Sequence, residues 1–370
     1  MKKILLVSVN SGDVFIGELA TRLAAREFDV WRYFVKEGRL HHYNSTTDKL
    51  LLLPAGNGLV SLFKMIVNSL KVGRHLGKVD FVHYHYIDTI LGILFFFLFP
   101  LSRKQTIATF WGSDYYKSSA KSSILKRRLL KRAAAITFTN PVTQNAFGEQ
   151  YPQWAEKAST IRFGLIPLDE IAKLTAEDRL RMKQKLKLPL DKKLVCLGTN
   201  ASVNQNHEAI INALKEVHPE VASQLHFLVP LGYPKQRNVY IQKISSMISE
   251  DQRSSYTLDS SFYSGKELAA YRACTDILIQ TQTTDQFSGA MQEVMASNGD
   301  VITGSWLPYE VLKGEQVHFH EIESFEELPA ALEVVCKNPI TEEQARHNAK
   351  VINKLSNWNE VILGWVNLYA

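Results

Sequence analysis

Residues 275–309 read TDILIQTQTTDQFSGAMQEVMASNGDVITGSWLPY. The hydropathy pattern predicts a buried strand at Ile277 to Gln280, a polar loop at Thr281 to Gln286, a helix at Phe287 to Ser297 and a second strand at Val301 to Thr303. The loop carries Asp285, and the small residues Ser288 and Gly289 fall where the helix begins. Unpaired backbone N–H groups and the positive end of the helix dipole therefore meet at one place, which suits a phosphate. Glu293 lies eight residues after Asp285, two helical turns from the loop, while Phe287, Met291, Val294 and Met295 are available to bury the opposite side. The same residues also admit a plainer reading, in which Asp285 caps the helix and Glu293 is solvated.

The acid-x7-acid spacing, followed by an apolar stretch, small residues and a strand, resembles the nucleotide-sugar site of GT-B glycosyltransferases, the retaining GT4 family in particular. The resemblance implies that Asp285 contacts hydroxyls of the transferred sugar, that the amides of Phe287, Ser288, Gly289 and Ala290 hold sugar and phosphate, and that Glu293 binds the ribose. At the first position this chain has Asp where that family usually has Glu.

Length and composition frame this reading. A chain of 370 residues suits two α/β domains of ordinary size. Its 45% hydrophobic and 22% charged content is that of a soluble globular protein. The three cysteines, Cys196, Cys274 and Cys336, are far apart in apolar segments, which argues against a disulfide framework or zinc site and for a reducing compartment. The first strand is expected at Lys3 to Val9, whose short apolar run is unlike a secretory signal. A pI near 9.0 raises the question of nucleic acid. However, the seven cations between Lys117 and Arg132, with no acid among them, exceed the whole net charge of +6, so the rest of the chain is close to neutral. No nucleic-acid partner is expected.

The first half alternates strands and helices, which implies a parallel sheet with ligands beyond the strand C-termini. Strands are expected at Asp29 to Val35, Leu50 to Leu53, Phe81 to Tyr86, Thr106 to Trp111, Ile136 to Thr139 and Thr160 to Phe163. The Asn10-Ser11-Gly12-Asp13 turn leads into a helix at Val14 to Arg26. Gly12 there permits close approach of a ligand, and such a turn is also a common βα connection. The His83 and His85 strand and the Thr109 to Asp114 loop resemble elements of GT-B N-domains. Where many GT4 enzymes have a histidine this chain has Trp111, leaving Asp114 as the polar candidate for the sugar pocket, with a helix cap as its alternative.

The apolar run Ile90 to Leu101 reaches only ~18 Å as helix, too short to span a ~30 Å bilayer core. It reads as a buried helix or one partly exposed to lipid. The basic stretch 117–132 that follows, with Ile124, Leu125, Leu129 and Leu130 in the same window, reads as a helix that docks on an anionic membrane surface.

In the second half the loop from Gly198 to His207 resembles that of the bacterial 4-acetamido-4,6-dideoxygalactose transferases of the GT56 family, which build the enterobacterial common antigen. The strand and turn Phe227 to Pro234, including Tyr233, add to the likeness. Where GT4 enzymes usually place Arg and Lys to neutralise diphosphate, this loop has Thr199 and Asn200. Amide donors, the helix start at Ser288 and Gly289, and Lys235 or Arg237 are then left for that work.

The resemblance thus implies a GT-B fold, two Rossmann-like doubly wound domains facing across a cleft with a C-terminal helix crossing back. The domains are placed at 1–165 with 355–370 and at 191–354, joined by a linker at 166–190. The implied activity is transfer from a nucleoside diphosphate sugar to a glycan or lipid-linked acceptor in bacterial cell-surface polysaccharide synthesis, with retention. Asp114 and Asp285 are the catalytic candidates, and no cofactor or metal is expected, because the chain contains no Asp-x-Asp motif. The expected location is cytoplasmic, peripheral at the inner face of the membrane. A nucleotide-sugar epimerase of the same fold and an inactive sugar-nucleotide-binding partner subunit are the competing functions.

Overall fold

The computed structural model describes residues 1–9, 14–45, 50, 52–53, 58–116, 120–233, 238–248, 253–285 and 287–370, with backbone alone at 99, 103–104 and 120–125. The chain forms two compact units, one of Met1–Gly164 with Asn359–Ala370, the other of Leu165–Trp358.

Unit one is built on a seven-stranded sheet. Its strands are β1 (Lys3–Ser8), β2 (Asp29–Phe34), β3 (Arg39–His42), β4 (Val79–His85), β5 (Ser102–Phe110), β6 (Ala135–Phe138) and β7 (Ala158–Thr160). They lie in the order β3-β2-β1-β4-β5-β6-β7, all parallel except the β2–β3 pair. Near-continuous burial along β1, β2 and β4 is what a parallel sheet covered on both faces requires. The strand expected at Leu50 to Leu53 lies partly outside the described residues, and Leu52 and Leu53 are not in a strand. Buried Asn68 instead satisfies Leu53, accepting from its N–H at 3.0 Å and donating to its carbonyl at 2.7 Å.

Unit two carries six parallel strands, β8 (Lys193–Leu197), β9 (Leu225–Pro230), β10 (Tyr256–Asp259), β11 (Ile277–Gln280), β12 (Asp300–Gly304) and β13 (His320–Ile322), in the order β10-β9-β8-β11-β12-β13. The direction of winding reverses between β8 and β11. Ligands bind beyond the strand ends at such a switch point.

Two boundaries differ from the sequence reading. The stretch 166–190 is not a free connector. Its helices Ile166–Ile171 and Ala176–Lys185 bury Leu168, Ile171 and Met182 within unit two. The tail, which the sequence reads as one long helix from Glu342 to Tyr369, is two helices. Asn357, in extended conformation, separates Glu342–Ser356 in unit two from Trp358–Leu368, most of which packs in unit one.

That last helix is held to its sheet by large buried aromatics. Trp365 is fully buried and donates from Nε1 to the Arg162 carbonyl at 2.9 Å, and the Tyr369 hydroxyl meets His83 Nδ1 at 2.5 Å. We expect Trp365→Ala to destabilise unit one by about 3–5 kcal/mol in urea unfolding. A loss under about 1 kcal/mol would show that the helix is dispensable for the fold.

Candidate functional site

The 281–293 segment follows β11 at the switch point of unit two. Ser288 caps the Gly289–Ala296 helix, its side chain accepting from Met291 N at 3.2 Å. Gly289 and Ala290 supply the first two helical N–H groups, which have no intrahelical acceptor. Asp285, half-buried, accepts a 2.6 Å hydrogen bond from the Tyr309 hydroxyl. Burial, and then the Asp285 carboxylate, raise the Tyr309 pKa, so the phenol keeps the proton it donates. Phe287 is half-buried and stands edge-on to Tyr309 at 6.5 Å.

Glu293 is neither solvated nor alone. It is 6% exposed, and its Oε2 lies 3.0 Å from Nε of Arg272, also 6% exposed. Burial pushes the carboxyl up from its ordinary value and the guanidinium pulls it back. Because a guanidinium does not give up its proton in proteins, the pair is ionic. Among the described residues only Arg272 donates to Glu293, so Oε1 accepts no protein hydrogen bond. That oxygen lies on the Gly289 side, 3.8 Å from where a Cβ on Gly289 would stand.

The loop after β8 does different work from that expected. Gly198 turns with φ +65°, and a Cβ there would lie 2.7 Å from Gln205 Oε1. Thr199 donates its backbone N–H to the same Oε1 at 2.9 Å, and Asn200 Oδ1 accepts from Ser202 N at 2.9 Å. These groups, which the sequence reading took as donor-binding candidates, close the loop on itself. Gln205 in turn donates to Gln282 Oε1 at 2.8 Å, and Asn206 donates to the Thr281 carbonyl at 2.8 Å. Side-chain amides thus clamp the β8 loop to the segment that carries Asp285. Tyr233 follows β9 with its ring 44% exposed and edge-on to Phe262. Gly12, Lys235 and Arg237 lie outside the described residues.

In unit one Asp114, a candidate for the sugar pocket or for a cap in the sequence reading, clamps two strand ends. Its Oδ1 accepts from Trp111 N at 2.8 Å and its Oδ2 from Ile87 N at 2.7 Å, joining the ends of β4 and β5. Burial pushes its carboxyl up to about 6. His83 bridges Tyr369 and Thr109, at 2.5 Å and 2.6 Å, and burial pushes its imidazole down to about 3. His85, fully buried beside Trp111 and Phe163, is lowered further by burial and then by His83. Both histidines are core residues at the strand end.

The basic helix Ala120–Arg132 is partly engaged in the fold. Leu129 and Leu130 are buried in the core, and Lys126 is buried with Nζ on the Asp114 carbonyl at 2.5 Å. Arg127, Arg128, Lys131 and Arg132 are exposed. Lys117 is outside the described residues, as are the side chains of Lys121, Ile124 and Leu125. Among the described residues no group of three or more His, Cys, Asp or Glu is arranged to hold a metal, and no helix is long and apolar enough to cross a membrane.

Two Rossmann-like units with this strand order have the architecture of the GT-B fold. Sucrose-phosphate synthase from Thermosynechococcus elongatus is similar at TM-score 0.74 and 17% identity, over 100% of this chain and 98% of that one. HepE from Anabaena, solved in complex with UDP, is similar at 0.74 and 14%, over 100% and 99%. A glycosyltransferase from Rickettsia africae reaches 0.76 at 15%, over 100% and 97%. The model of the family described as 4-alpha-L-fucosyltransferase glycosyl transferase group 56 matches residues 61–258, more than half of the chain, and the chain belongs to that family. No curated protein matches it in sequence. The matched span stops short of Asp285 and Glu293.

Two outcomes test these assignments. Asp114→Asn replaces one acceptor oxygen with a donor facing a buried N–H, and should destabilise unit one by about 1–3 kcal/mol in denaturant titration. Wild-type stability in that variant would remove the clamp.

The second concerns pH. Unfolded imidazoles bind protons near 6.5 while folded His83 resists down to about 3, so its contribution is present above 6.5 and lost as pH falls toward 3. Asp114 works in the opposite sense, favouring the fold below its ordinary value and losing that contribution as pH rises through about 6. With three histidines lowered (His41, His83, His85) against two carboxyls raised (Asp88, Asp114), unit one should lose stability from about pH 7 to about pH 5, and His85→Phe should reduce that loss. An unchanged pH slope in the variant would contradict the assignment.

Proposed function

We propose that the chain transfers a sugar from a nucleoside diphosphate sugar, bound by unit two, to a lipid-linked acceptor glycan in bacterial cell-surface polysaccharide synthesis, with retention of configuration. The observation that carries this reading is the convergence, after β11, of an N-capped helix start with two carboxylates, each anchored by a buried donor. HepE, which shares the fold, has been solved with UDP and with UDP-glucose, which supports the same donor class here.

In this proposal the Gly289 and Ala290 amides, with the helix dipole, stabilise charge as it develops on the leaving diphosphate. Glu293 Oε1 accepts from the ribose hydroxyls while Arg272 holds Oε2. Asp285, its rotamer fixed by Tyr309, receives hydroxyls of the transferred sugar, and Phe287 and Ser288 shape the approach. The exposed ring of Tyr233 offers a stacking face to the base. Retention is consistent with the donor phosphate itself taking the acceptor proton, so catalysis rests on positioning and leaving-group stabilisation.

Glu293→Gln is the informative substitution. It keeps an oxygen toward Arg272 but weakens a charge-assisted hydrogen bond, so donor binding should fall by about 1.5–3 kcal/mol, read as a raised KM for the donor in a folded protein. Glu293→Gln and Glu293→Ala both remove the countercharge of Arg272, but alanine removes its hydrogen-bond acceptor as well and would cost about 3–5 kcal/mol of stability, so the glutamine variant is the one to read, with its folding checked by circular dichroism. Donor affinity unchanged in the glutamine variant would sink the ribose assignment.

Metal dependence gives a separate check. The chain has no Asp-x-Asp pair to hold a divalent ion on the diphosphate. Transfer should therefore survive chelator, and strict, saturable rescue by magnesium or manganese would count against this mechanism.

A further inference from the structure

Gln292, in the Gly289–Ala296 helix, is 1% exposed among buried Met291, Glu293 and Val294, a place that an apolar side chain would fill as well. Both ends of its amide are engaged. Nε2 donates to the Ser288 carbonyl at 3.1 Å and lies 3.4 Å from the Phe287 carbonyl, while Oε1 accepts from the Ser356 hydroxyl at 2.5 Å. Chemistry dictates this orientation, because two carbonyl oxygens can be met only by the NH2 group, which leaves the amide oxygen for a hydroxyl that donates.

The Ser288 carbonyl already accepts the backbone N–H of Gln292, at 3.2 Å, as a first helical turn requires. The side chain adds a second bond there and reaches one residue further back, to Phe287. Those carbonyls govern what lies on their far side. A trans peptide is planar, with its C=O and N–H pointing in opposite directions. Holding the Phe287 oxygen therefore sets the direction of the Ser288 N–H, and holding the Ser288 oxygen sets that of the Gly289 N–H. Both belong to the helix start, where the dipole favours an anion.

Ser356 is a firm anchor. It is 2% exposed, it ends the Glu342–Ser356 helix, and its own carbonyl accepts from Leu165 N at 2.8 Å. Leu165 is the first residue of unit two and Ser356 lies just before the last, Trp358, so the anchor stands where the chain enters and leaves that unit. The Leu165 side chain bears on the same helix start: a Cβ on Gly289 would lie 3.1 Å from Leu165 Cδ2.

We propose that Gln292 and Ser356 are positioning residues for the donor diphosphate, turning the Ser288 and Gly289 amides toward it and holding them there without touching it. Stability does not call for the pair, since replacing both partners of a buried hydrogen bond by apolar groups of the same shape is close to neutral. What the pair supplies is a fixed direction for two N–H dipoles. Fixed dipoles stabilise charge on a leaving group because they need not reorganise as it develops. The inference rests on the reading of this helix start as the diphosphate site.

The test is calorimetric titration of the full chain with UDP, thymidine diphosphate, GDP and ADP, and then with the nucleoside of whichever binds most tightly, measured by displacement. Gln292→Met with Ser356→Ala should bind that diphosphate about tenfold more weakly, as expected when hydrogen bonds to a charged group lose their alignment. Its affinity for the nucleoside should equal that of wild type. Ser356→Ala alone, which removes a single hydroxyl, should show part of the same loss and carries the test if circular dichroism or thermal melting finds the double variant misfolded. Equal loss of diphosphate and nucleoside affinity would mean a merely structural defect, and wild-type affinity for both would mean that the amides need no such support; either overturns the proposal. Wild type that binds none of the four diphosphates sinks the diphosphate reading itself and this inference with it, whereas wild-type binding with unaffected variants sinks the inference alone.

Discussion

Two full charges taken out of water within one helix layer are the constraint on which unit two depends. Removing an ion from water costs several kcal/mol even after relaxation, and at 3.0 Å the Arg272–Glu293 contact offsets that cost only while both partners stay in place. Arg272 comes from the Gly265–Ala273 helix, whose residues Ala269 to Ala273 are all buried, and Glu293 from the helix after β11. The pair therefore fixes the two helices against each other and fixes Glu293 in one rotamer. A well-packed apolar pair would serve stability as well or better. What it would not supply is a carboxylate with one oxygen held and the other without a protein donor.

The same economy recurs at Asp285, where buried Tyr309 secures one oxygen, and in the Gln205–Gln282 contact, where side-chain amides do for two loops what a backbone ladder does for strands. Parallel strands end without hairpins, so the segments after β8 and β11 have no ladder to align them. Side chains must supply that alignment, which explains why the polar run from Thr199 to His207 is spent on internal hydrogen bonds. His207, its imidazole pushed down to about 4 by burial, bonds the Leu197 carbonyl at 2.9 Å and the Tyr240 hydroxyl at 3.0 Å in the same service.

The alternation of apolar runs with helical segments made the doubly wound architecture legible, and the strand–loop–helix–strand unit at 275–309 was readable almost residue by residue, because burial on both faces leaves an uninterrupted apolar signature there. The edge strands β3, β10 and β13 were not, since RLHH, YTLD and HEI carry no such run. At the site, the positions of Ser288 and Gly289 followed from helix-start chemistry. The partners Arg272 and Tyr309 did not, because pairing across 21 and 24 residues is set by packing rather than by local pattern. A lone cation among small residues in ELAAYRAC was the one trace of it. Polarity alone left the roles of Thr199, Asn200 and Asp114 open for a shared reason: a polar side chain near a strand end can serve the loop's own backbone as readily as a ligand.

The basic helix shows how burial redistributes a charge that composition can only count. Lys126 turns inward to the Asp114 carbonyl, and so joins the clamp between the ends of β4 and β5, while Leu129 and Leu130 enter the core beside it. Among the described side chains of this helix, Leu129 and Leu130 are consumed by the fold, and Arg127, Arg128, Lys131 and Arg132 are exposed. The Gly58–Leu76 helix lies two helices away, and its sequence, with three cations and a histidine among its apolar residues, does not stand out from that of an ordinary amphipathic helix. The two come together with the Thr89–Leu98 helix only through the right-handed crossovers that lay all three on one side of the sheet. It is the topology, rather than any single segment, that lays these helices side by side.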